Sequence, residues 1–308
     1  MKKLVMLIGE DVSQSYSMDM HNAAFRALSL DVEYMPLNLS PGEGHRIGDV
    51  FKSKDVIGAN VTMPYKEEAL SYVECLTERA RIIKAINLIY YGAEGKLVGD
   101  NTDSFALSLS LTNRNWNKES ALIFGAGGVC RACVGELAML GVKRIYIFNR
   151  TPEHAKALAN DICEFKGQYG VSNDLDIEIH DLRGLGIMDQ GDIDEVALER
   201  LAKILLDTSL VINATNRSAH LIKEKVAHDV FSKKKDIIVC DFVYRPVKTD
   251  LITQAQAHGL MTINGLELLL NQAIPSFERW TNVAAPKEIM ANSLSLASGV
   301  DISEIVYK

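Results

Sequence analysis

The side chains most able to move a proton in this chain are a lysine and an aspartate, Lys66 and Asp103. Lys66 ends the segment 60–66, NVTMPYK, and Asp103 ends the segment 99–103, GDNTD. A lysine oriented by a carboxylate can accept the proton of a hydroxyl group and can return it to a carbonyl oxygen. The two residues therefore predict acid–base chemistry at a hydroxyl or carbonyl carbon. The alternative is a solvated lysine, with Asp103 only capping a helix.

A glycine-rich turn further along the chain predicts a nucleotide cofactor. Residues 125–128, GAGG, directly follow an apolar strand pattern and open a helical pattern. Glycines permit a close backbone approach, and the start of a helix offers free N–H groups to a pyrophosphate. Cys130 replaces the third glycine of the GxGxxG motif, so Ala132 would supply the small packing residue. The alternative is a tight strand-to-helix turn that binds no nucleotide.

The residues after the next strand favour NADP over NAD. Asn149, Arg150 and Thr151 stand where an NAD-selective enzyme places an acidic residue against the ribose 2′-hydroxyl. A guanidinium binds a 2′-phosphate through charge-assisted hydrogen bonds, whereas a carboxylate repels it. Glu153, two residues further on, keeps NAD open as an alternative. A solvated Arg150, with Thr151 capping the next helix, would leave this turn without a cofactor role.

Short apolar runs alternate with helical patterns, which predicts an α/β fold. The first series contains strands at 3–8, 32–37 and 56–61 and helices at 18–28 and 65–72. The second series contains strands at 120–124, 144–148, 210–214, 237–241 and 261–263, with helices at 129–140 and 152–165. This second series is typical of a Rossmann-type, doubly wound dinucleotide-binding domain.

The same patterns predict two domains. A helix follows Asp103 as far as Asn113, and residues after Gly265 again show helical periodicity. We expect this last segment to return to the first domain. The prediction is a discontinuous substrate-binding and catalytic domain with a mostly parallel sheet, at 1–103 and 265–308, and a Rossmann domain at 104–264. The active site is expected in the cleft between them. Residues 165–200 carry the least pattern and are predicted to form a surface excursion.

Composition limits the class of protein. The chain has 308 residues, of which 47% are hydrophobic and 24% charged, as in globular proteins of about two domains. A net charge of -7 argues against nucleic acid or an acidic membrane as a partner, and no apolar run approaches about 18 residues. Five scattered cysteines favour a reducing compartment, so we expect a cytoplasmic protein. Cys130 and Cys133 lack the further ligands of a metal site and are predicted to be packing residues.

An ordered series of segments resembles the shikimate dehydrogenase family along nearly the whole chain. The segments 60–66, 99–103, 125–128 and 149–151 resemble its catalytic and NADP-binding motifs. Further matching segments are 15–22, SYSMDMHN; 85–87, AIN; 241–246, DFVYRP; 265–272, GLELLLNQ; and 277–281, FERWT. The resemblance implies reversible, NADP-dependent reduction of 3-dehydroshikimate to shikimate in aromatic amino-acid biosynthesis, or oxidation of quinate with NAD or NADP.

The resemblance also implies roles for individual residues. Lys66 and Asp103 would be the catalytic pair, and no metal would be needed. The implied substrate-binding residues are Ser15, Ser17, Thr62, Lys66, Asn87, Asp103, Tyr244 and Gln272. The implied cofactor-binding residues are Gly125, Ala126, Gly127, Gly128, Val129, Asn149, Arg150, Thr151, Thr215, Asn216 and Gly265. The implied partners are small molecules, shikimate, 3-dehydroshikimate or quinate, bound by a monomer or a homodimer.

Some positions depart from the family pattern. Met18 stands where the family has proline, and Leu268 replaces a methionine. Residues 213–219, NATNRSA, keep the start of the family's NATSxGM loop but lose its serine, glycine and methionine. These changes leave open a divergent paralogue or a non-catalytic small-molecule sensor, although a sensor has no need of the acid–base pair. A folate-type dehydrogenase is disfavoured by the paired serines. Ser15 and Ser17 as helix caps, and Tyr244 as a core residue, are the structural alternatives.

Overall fold

The computed structural model describes residues 2–112, 114–185, 194–217 and 221–302. The chain forms two compact units, Met1–Ala106 with Leu269–Lys308, and Leu107–Leu268. Each unit contains one six-stranded sheet. The chain passes from the first unit to the second within the helix that contains Ala106, and it returns within the helix that contains Leu268.

The sheet of the first unit is mixed but mostly parallel, and its strand order is β2-β1-β3-β5-β6-β4. The pairs β1–β2, β1–β3 and β4–β6 are parallel, and β5 runs antiparallel to both β3 and β6. The elements are β1 (Lys3–Gly9), α1 (Ser17–Ala27), β2 (Val32–Asn38), α2 (Arg46–Val50), β3 (Val56–Val61), a 3₁₀ helix (Glu68–Tyr72), β4 (Cys75–Leu76), α3 (Glu78–Ile83), β5 (Leu88–Tyr91), a 3₁₀ turn (Ala93–Gly95), β6 (Leu97–Asp100) and α4 (Thr102–Thr112).

The second unit has an entirely parallel sheet in the order β12-β11-β10-β7-β8-β9. Its chain runs outward from the central strand in both directions, which is the doubly wound topology of dinucleotide-binding domains. The elements are β7 (Ser120–Phe124), α5 (Gly128–Met139), β8 (Arg144–Asn149), α6 (Pro152–Cys163), β9 (Asp176–Asp181), a 3₁₀ turn (Arg183–Leu185), α7 (Glu195–Asp207), β10 (Leu210–Asn213), α8 (Glu224–Phe231), β11 (Ile238–Asp241), α9 (Asp250–Ala257) and β12 (Met261–Ile263).

Two further helices, α10 (Gly265–Thr281) and α11 (Lys287–Ser298), complete the described chain. Helix α10 packs on the first sheet through Trp280, whose indole Nε1 donates to the carbonyl of Ile89 over 3.1 Å. A Cβ atom at Gly58 would lie 2.2 Å from the Trp280 ring, so only glycine on β3 allows this approach. The indole thereby anchors the helix that also carries Gln272.

Most predicted strands and helices are present, but two predictions about the chain are wrong. The helix expected at 65–72 is a turn followed by a 3₁₀ helix, because the carbonyl of Lys66 accepts a hydrogen bond from the Ile86 N–H instead of from its own helix. The region 165–200 is not simply an excursion, since it contains strand β9 and the start of α7. Its residues 186–193, with Gly186 and Gly191, lie outside the described part of the chain.

Cys130 and Cys133 are fully buried on α5, as predicted for packing residues. Burial raises the pKa of the Cys130 thiol to about 12, so this thiol stays protonated and unreactive at neutral pH. Within the described residues, no helix combines the length and the apolar character that crossing a lipid bilayer requires.

Candidate functional site

Lys66 and Asp103 form a buried ion pair. Lys66 Nζ lies 2.5 Å from Asp103 Oδ2, and the two side chains are only 9% and 12% exposed. Lys66 stands in the turn after β3, and Asp103 is the second residue of α4. Because water is largely excluded, the attraction between ammonium and carboxylate is screened less than at a surface. The predicted convergence of these two distant residues is therefore present in the structure.

Backbone contacts explain why the two residues meet. Lys84 ends α3 in the left-handed conformation (φ 54°), and the chain then turns so that the N–H of Ile86 donates to the Lys66 carbonyl over 2.8 Å. Asn101 accepts from the Ser104 N–H over 3.1 Å at the start of α4 and donates from its amide to the carbonyl of Ala85 over 2.9 Å. These bonds place the segment 85–87 between the lysine turn and the aspartate helix.

Asn87 is the hydrogen-bonding centre of this group. Its Nδ2 donates to Asp103 Oδ1 over 2.8 Å, on the carboxylate oxygen that Lys66 does not use. Its Oδ1 accepts from the Thr102 backbone N–H over 2.7 Å and from the Thr102 hydroxyl over 3.1 Å. The side chain is buried, so these bonds fix the orientation of the Asp103 carboxylate.

Helix α10 extends the same network. The Thr102 hydroxyl lies 3.4 Å from Gln272 Oε1 and 3.3 Å from the Ser276 hydroxyl. The amide of Asn60 donates to the Asn87 carbonyl over 2.9 Å and lies 3.3 Å from Ser276. A continuous set of buried polar groups thus connects the ion pair to helix α10.

An aromatic cluster closes the apolar end of this network. The Tyr34 hydroxyl donates to Asn60 Oδ1 over 2.8 Å, and the His21 ring stacks on Tyr34 with 4.6 Å between centroids. Burial lowers the pKa of His21 to about 3. The imidazole is therefore neutral at physiological pH and adds no charge to this cluster.

The two serines and Thr62 follow the ends of neighbouring strands. Ser15 and Ser17 come after β1, and the Ser15 hydroxyl accepts from the Ser17 N–H over 3.2 Å. Thr62 comes after β3, where its N–H donates to the Ile8 carbonyl over 2.8 Å. Parallel strands bring these two loops to one edge of the sheet. Tyr16 holds the N-cap position of α1 and its side chain makes no capping bond. The Ser15 hydroxyl instead accepts the first N–H of this helix, so Ser15 helps to cap α1 from the same strand edge.

The glycine turn of the second unit has the geometry that a pyrophosphate requires. Gly125 has φ +114°, and a Cβ atom there would lie 3.0 Å from the Ala214 carbonyl oxygen. Gly127 is the N-cap of α5, no side chain caps this helix, and the space where its Cβ would lie is open. Ala126, Gly128 and Val129 complete the turn. The unpaired N–H groups of the first helical turn are thus available to an anion, which fits a dinucleotide.

Two strand ends beside this turn are joined by polar side chains. Asn213 Nδ2 donates to Asp241 Oδ1 over 2.8 Å, and Asn213 Oδ1 accepts from the Thr215 hydroxyl over 2.7 Å. Burial raises the pKa of Asp241 to about 6. The next residue of the loop, Asn216, is exposed, while Ser218 and Ala219 lie outside the described residues.

Gly265 begins α10 against the loop that contains Tyr244. A Cβ atom at Gly265 would lie 2.5 Å from the carbonyl oxygen of Val243 and 2.8 Å from the backbone nitrogen of Tyr244. Only glycine permits this approach. Tyr244 is half-buried, which does not match the alternative of a core tyrosine.

The end of β8 carries the residues expected to select the cofactor. Arg150 is exposed, and Asn149 Nδ2 donates to the Thr151 carbonyl over 2.8 Å. Thr151 occupies the N-cap position of α6, but its hydroxyl makes no capping hydrogen bond, and Pro152 begins the helix. The turn therefore presents a guanidinium beside an uncapped helix N-terminus, which favours an anionic ligand.

Comparison with known proteins gives a consistent answer. Family models match residues 7–89 (shikimate dehydrogenase substrate binding domain), 107–182 (shikimate / quinate 5-dehydrogenase) and 265–294 (shikimate 5′-dehydrogenase C-terminal domain). The shikimate dehydrogenase (NADP(+)) of Alkaliphilus oremlandii is 34% identical over 298 residues, which cover 95% of this chain and 96% of the relative. The chain belongs to the shikimate dehydrogenase family.

Solved structures of the shikimate dehydrogenase family share this fold. The shikimate 5-dehydrogenase of Listeria monocytogenes, solved with shikimate and NAD, gives a TM-score of 0.78 at 27% identity, covering 95% of this chain and 96% of that one. The enzyme of Thermus thermophilus, solved with NADP(H) and shikimate, gives 0.72 at 25% identity, covering 96% and 99%.

Several residues that hold the candidate site residues of each unit in place were not singled out from the sequence. Thr102, Asn60 and Ser276 hold Asn87 and Gln272, and Asp241 holds the loop of Thr215. Asn60 and Thr102 lie inside the quoted motifs, and Asp241 ends a predicted strand. Their positions were therefore the only feature of the sequence that could have marked them as parts of a site. Ser276 has no such indication, because only the folded helix α10 brings it to Asn60.

Proposed function

We propose that this chain catalyses the reversible, NADP-dependent reduction of 3-dehydroshikimate to shikimate. The observation that carries this proposal is the 2.5 Å contact between Lys66 and Asp103, buried but not sealed from solvent. Together with membership of the shikimate dehydrogenase family, this pair supports a reaction in which one proton and one hydride are exchanged with a ring carbonyl.

Lys66 is the acid in the direction of reduction. When bound, NADPH supplies the hydride that reduces the carbonyl carbon. Lys66 Nζ donates a proton to the carbonyl oxygen, so the C=O bond becomes CH–OH, and the amine regains a proton from solvent. In the direction of oxidation the neutral amine accepts the hydroxyl proton. The contact with Asp103 keeps Lys66 Nζ in one orientation for both directions.

Asn87 contributes by fixing Asp103 as well as by binding substrate. Its Oδ1 is occupied by Thr102, but Nδ2 has a second hydrogen available for a ring hydroxyl of the substrate. We assign Thr62, Asp103 and Gln272 to further ring hydroxyls. The hydroxyls of Ser15 and Ser17, with Tyr244, are assigned to the substrate carboxylate.

The second unit is the proposed NADP-binding domain and the first the substrate-binding and catalytic domain. The open space at Gly127 and the uncapped start of α5 support a pyrophosphate at residues 125–129. Asn149, Arg150 and Thr151 would hold the 2′-phosphate, while Thr215, Asn216 and Gly265 would line the nicotinamide side. A cytoplasmic enzyme that acts as a monomer or homodimer completes the proposal.

One assay tests the reaction and its selectivity together. Purified protein is given shikimate or quinate with NADP or NAD, and the absorbance of the reduced nicotinamide is followed. We expect the highest kcat/KM for shikimate with NADP. Turnover of none of the four combinations would overturn the proposal, and a higher kcat/KM for quinate would overturn the choice of substrate.

A further inference from the structure

We propose that Arg183 sets the preference for NADP over NAD by neutralising Asp181, an acid that stands beside the 2′-phosphate site. This inference rests on the proposed function, since it assumes that Arg150 faces the 2′-phosphate. Arg183 itself is a positioning and charge-balancing residue, and it takes no part in the chemistry.

The strand register places Asp181 next to the proposed phosphate site. Strands β8 and β9 are parallel neighbours, and Asn149 is paired with Asp181. The N–H of Leu182 donates to the Asn149 carbonyl over 3.1 Å, so the pairing continues to the last residue before Arg150. Neighbouring strands lie about 4.8 Å apart. A free carboxylate at Asp181 would therefore act on any anion bound at the end of β8.

Arg183 contacts both oxygens of that carboxylate. Its Nε lies 3.1 Å from Asp181 Oδ1 and 2.9 Å from Oδ2, and its Nη2 lies 2.6 Å from Oδ2. Its backbone N–H donates to Asp181 Oδ1 over 2.8 Å. This fork geometry is the arrangement in which arginine binds a carboxylate most firmly, and lysine could not reproduce it.

A second acid in the same area makes the balance of charge matter. Glu153 lies in the first turn of α6, three residues after Arg150, and Asp181 together with Glu153 raises the pKa of Arg183. Arg183 therefore offsets the charge of Asp181 and is attracted by Glu153 as well. Asp194 and Arg200 line the same pocket as Asp181 and carry opposite charges. Without Arg183, Asp181 and Glu153 would lose this cation, which favours the ribose 2′-hydroxyl of NAD over a 2′-phosphate.

Binding of cofactor fragments tests this directly. Adenosine 2′,5′-bisphosphate and 5′-AMP, which differ only in the 2′-phosphate, are titrated calorimetrically into the full chain at low salt. Arg183→Ala should weaken bisphosphate binding about fivefold and leave AMP binding unchanged. The double variant Arg183→Ala/Asp181→Asn should recover the bisphosphate affinity. Asp181→Asn alone should bind the bisphosphate as well as the unaltered chain or better.

Lys143→Ala provides the matched control. Lys143 Nζ also contacts both oxygens of one carboxylate, Glu119, at 2.7 and 2.9 Å, but it stands at the other end of β8. Its removal should leave both affinities unchanged. Three results would overturn the inference. Arg183→Ala could bind the bisphosphate as well as the unaltered chain does, or it could lose the same affinity for both ligands. The double variant could also bind the bisphosphate as weakly as Arg183→Ala alone. An unaltered chain that does not prefer the bisphosphate would contradict the NADP assignment itself, and this inference with it.

Discussion

Asn213 and Asp241, the last residues of β10 and β11, are paired in register and joined by a hydrogen bond of 2.8 Å. The Asp241 carboxylate also accepts from the Thr249 hydroxyl over 2.7 Å and from the Val243 N–H over 2.9 Å. One buried carboxylate therefore holds the loop after β10, the loop after β11 and the start of α9. The three donors lower the pKa of Asp241, but burial raises it by more. The pKa is therefore raised to about 6.

This raised pKa predicts a specific dependence of stability on pH. The pKa of Asp241 is about 6 in the folded chain and near 3.8 in an unfolded one. Between these values the unfolded state loses the proton first, so a rise in pH favours unfolding. The contribution of Asp241 is fully favourable below pH 3.8 and is lost as the pH passes 6. Between pH 4 and pH 7 the free energy of unfolding of the unaltered chain should fall by about 2 kcal/mol more than that of the Asp241→Asn variant.

Denaturant unfolding at several pH values measures this difference. Asp236→Asn is the control, since Asp236 lies just before the same strand but is exposed and paired with Lys234. Its pH profile should run parallel to that of the unaltered chain. A profile for Asp241→Asn that also runs parallel would show that the buried carboxylate does not titrate as described.

Replacing Lys66 should remove the proton transfer while leaving substrate binding largely intact. We expect Lys66→Ala to lower kcat about 10²- to 10⁴-fold with a much smaller change in KM. Lys52→Ala is the matched control, because Lys52 Nζ lies at the same 2.5 Å from Asp49 but its side chain is 80% exposed. Steady-state kinetics should show no change in the control. Equal kcat for Lys66→Ala and the unaltered chain would end the catalytic role of this lysine.

The parallel architecture and the convergence of Lys66 with Asp103 were predictable from the sequence. Alternating apolar runs mark β1 and β7 because buried parallel strands consist almost wholly of apolar residues. The side chains of Lys66 and Asp103 can carry out acid–base chemistry only if the fold brings their two motifs together. The strands follow from local composition, whereas the pairing of Lys66 with Asp103 is implied by the resemblance of both motifs to the shikimate dehydrogenase family.

The remaining features depend on contacts between distant segments. Strand β9 has the burial of an edge strand, with mostly half-buried residues, so its sequence lacks a strong apolar pattern. The turn at Lys66 departs from a helix because Ile86 takes its carbonyl. Neither the partner of a backbone carbonyl nor the pairing of Asn149 with Asp181 is encoded by residue type alone.

Asn87 should contribute to both catalysis and stability. Asn87→Ala removes the bonds to Asp103 and Thr102 and leaves their buried polar groups unpaired, which should cost about 1–3 kcal/mol. Because Asp103 is no longer oriented, kcat should also fall. Denaturation and steady-state kinetics on the same preparation separate the two effects.

Asn22→Ala is a matched control for Asn87. The Asn22 side chain makes two hydrogen bonds to the backbone of Tyr34, at 2.8 and 3.0 Å, and none to Asp103 or Thr102. Its loss should lower stability without a comparable loss of kcat. If the two variants lost activity in proportion to stability alone, Asn87 would have no specific influence on Asp103.

The two glycines of the turn should respond differently to the same substitution. Gly125→Ala places a side chain at φ +114° and 3.0 Å from the Ala214 carbonyl oxygen, so the free energy of unfolding should fall by about 1–3 kcal/mol. Gly127 has φ −90° and open space around it, so Gly127→Ala should leave stability within about 0.5 kcal/mol. The added methyl group would still stand beside the start of α5, where the pyrophosphate is proposed to bind. NADP affinity, measured by calorimetry, should therefore fall in Gly127→Ala even though denaturant unfolding without nucleotide is unchanged. A Gly127→Ala variant that keeps full affinity would place the pyrophosphate elsewhere.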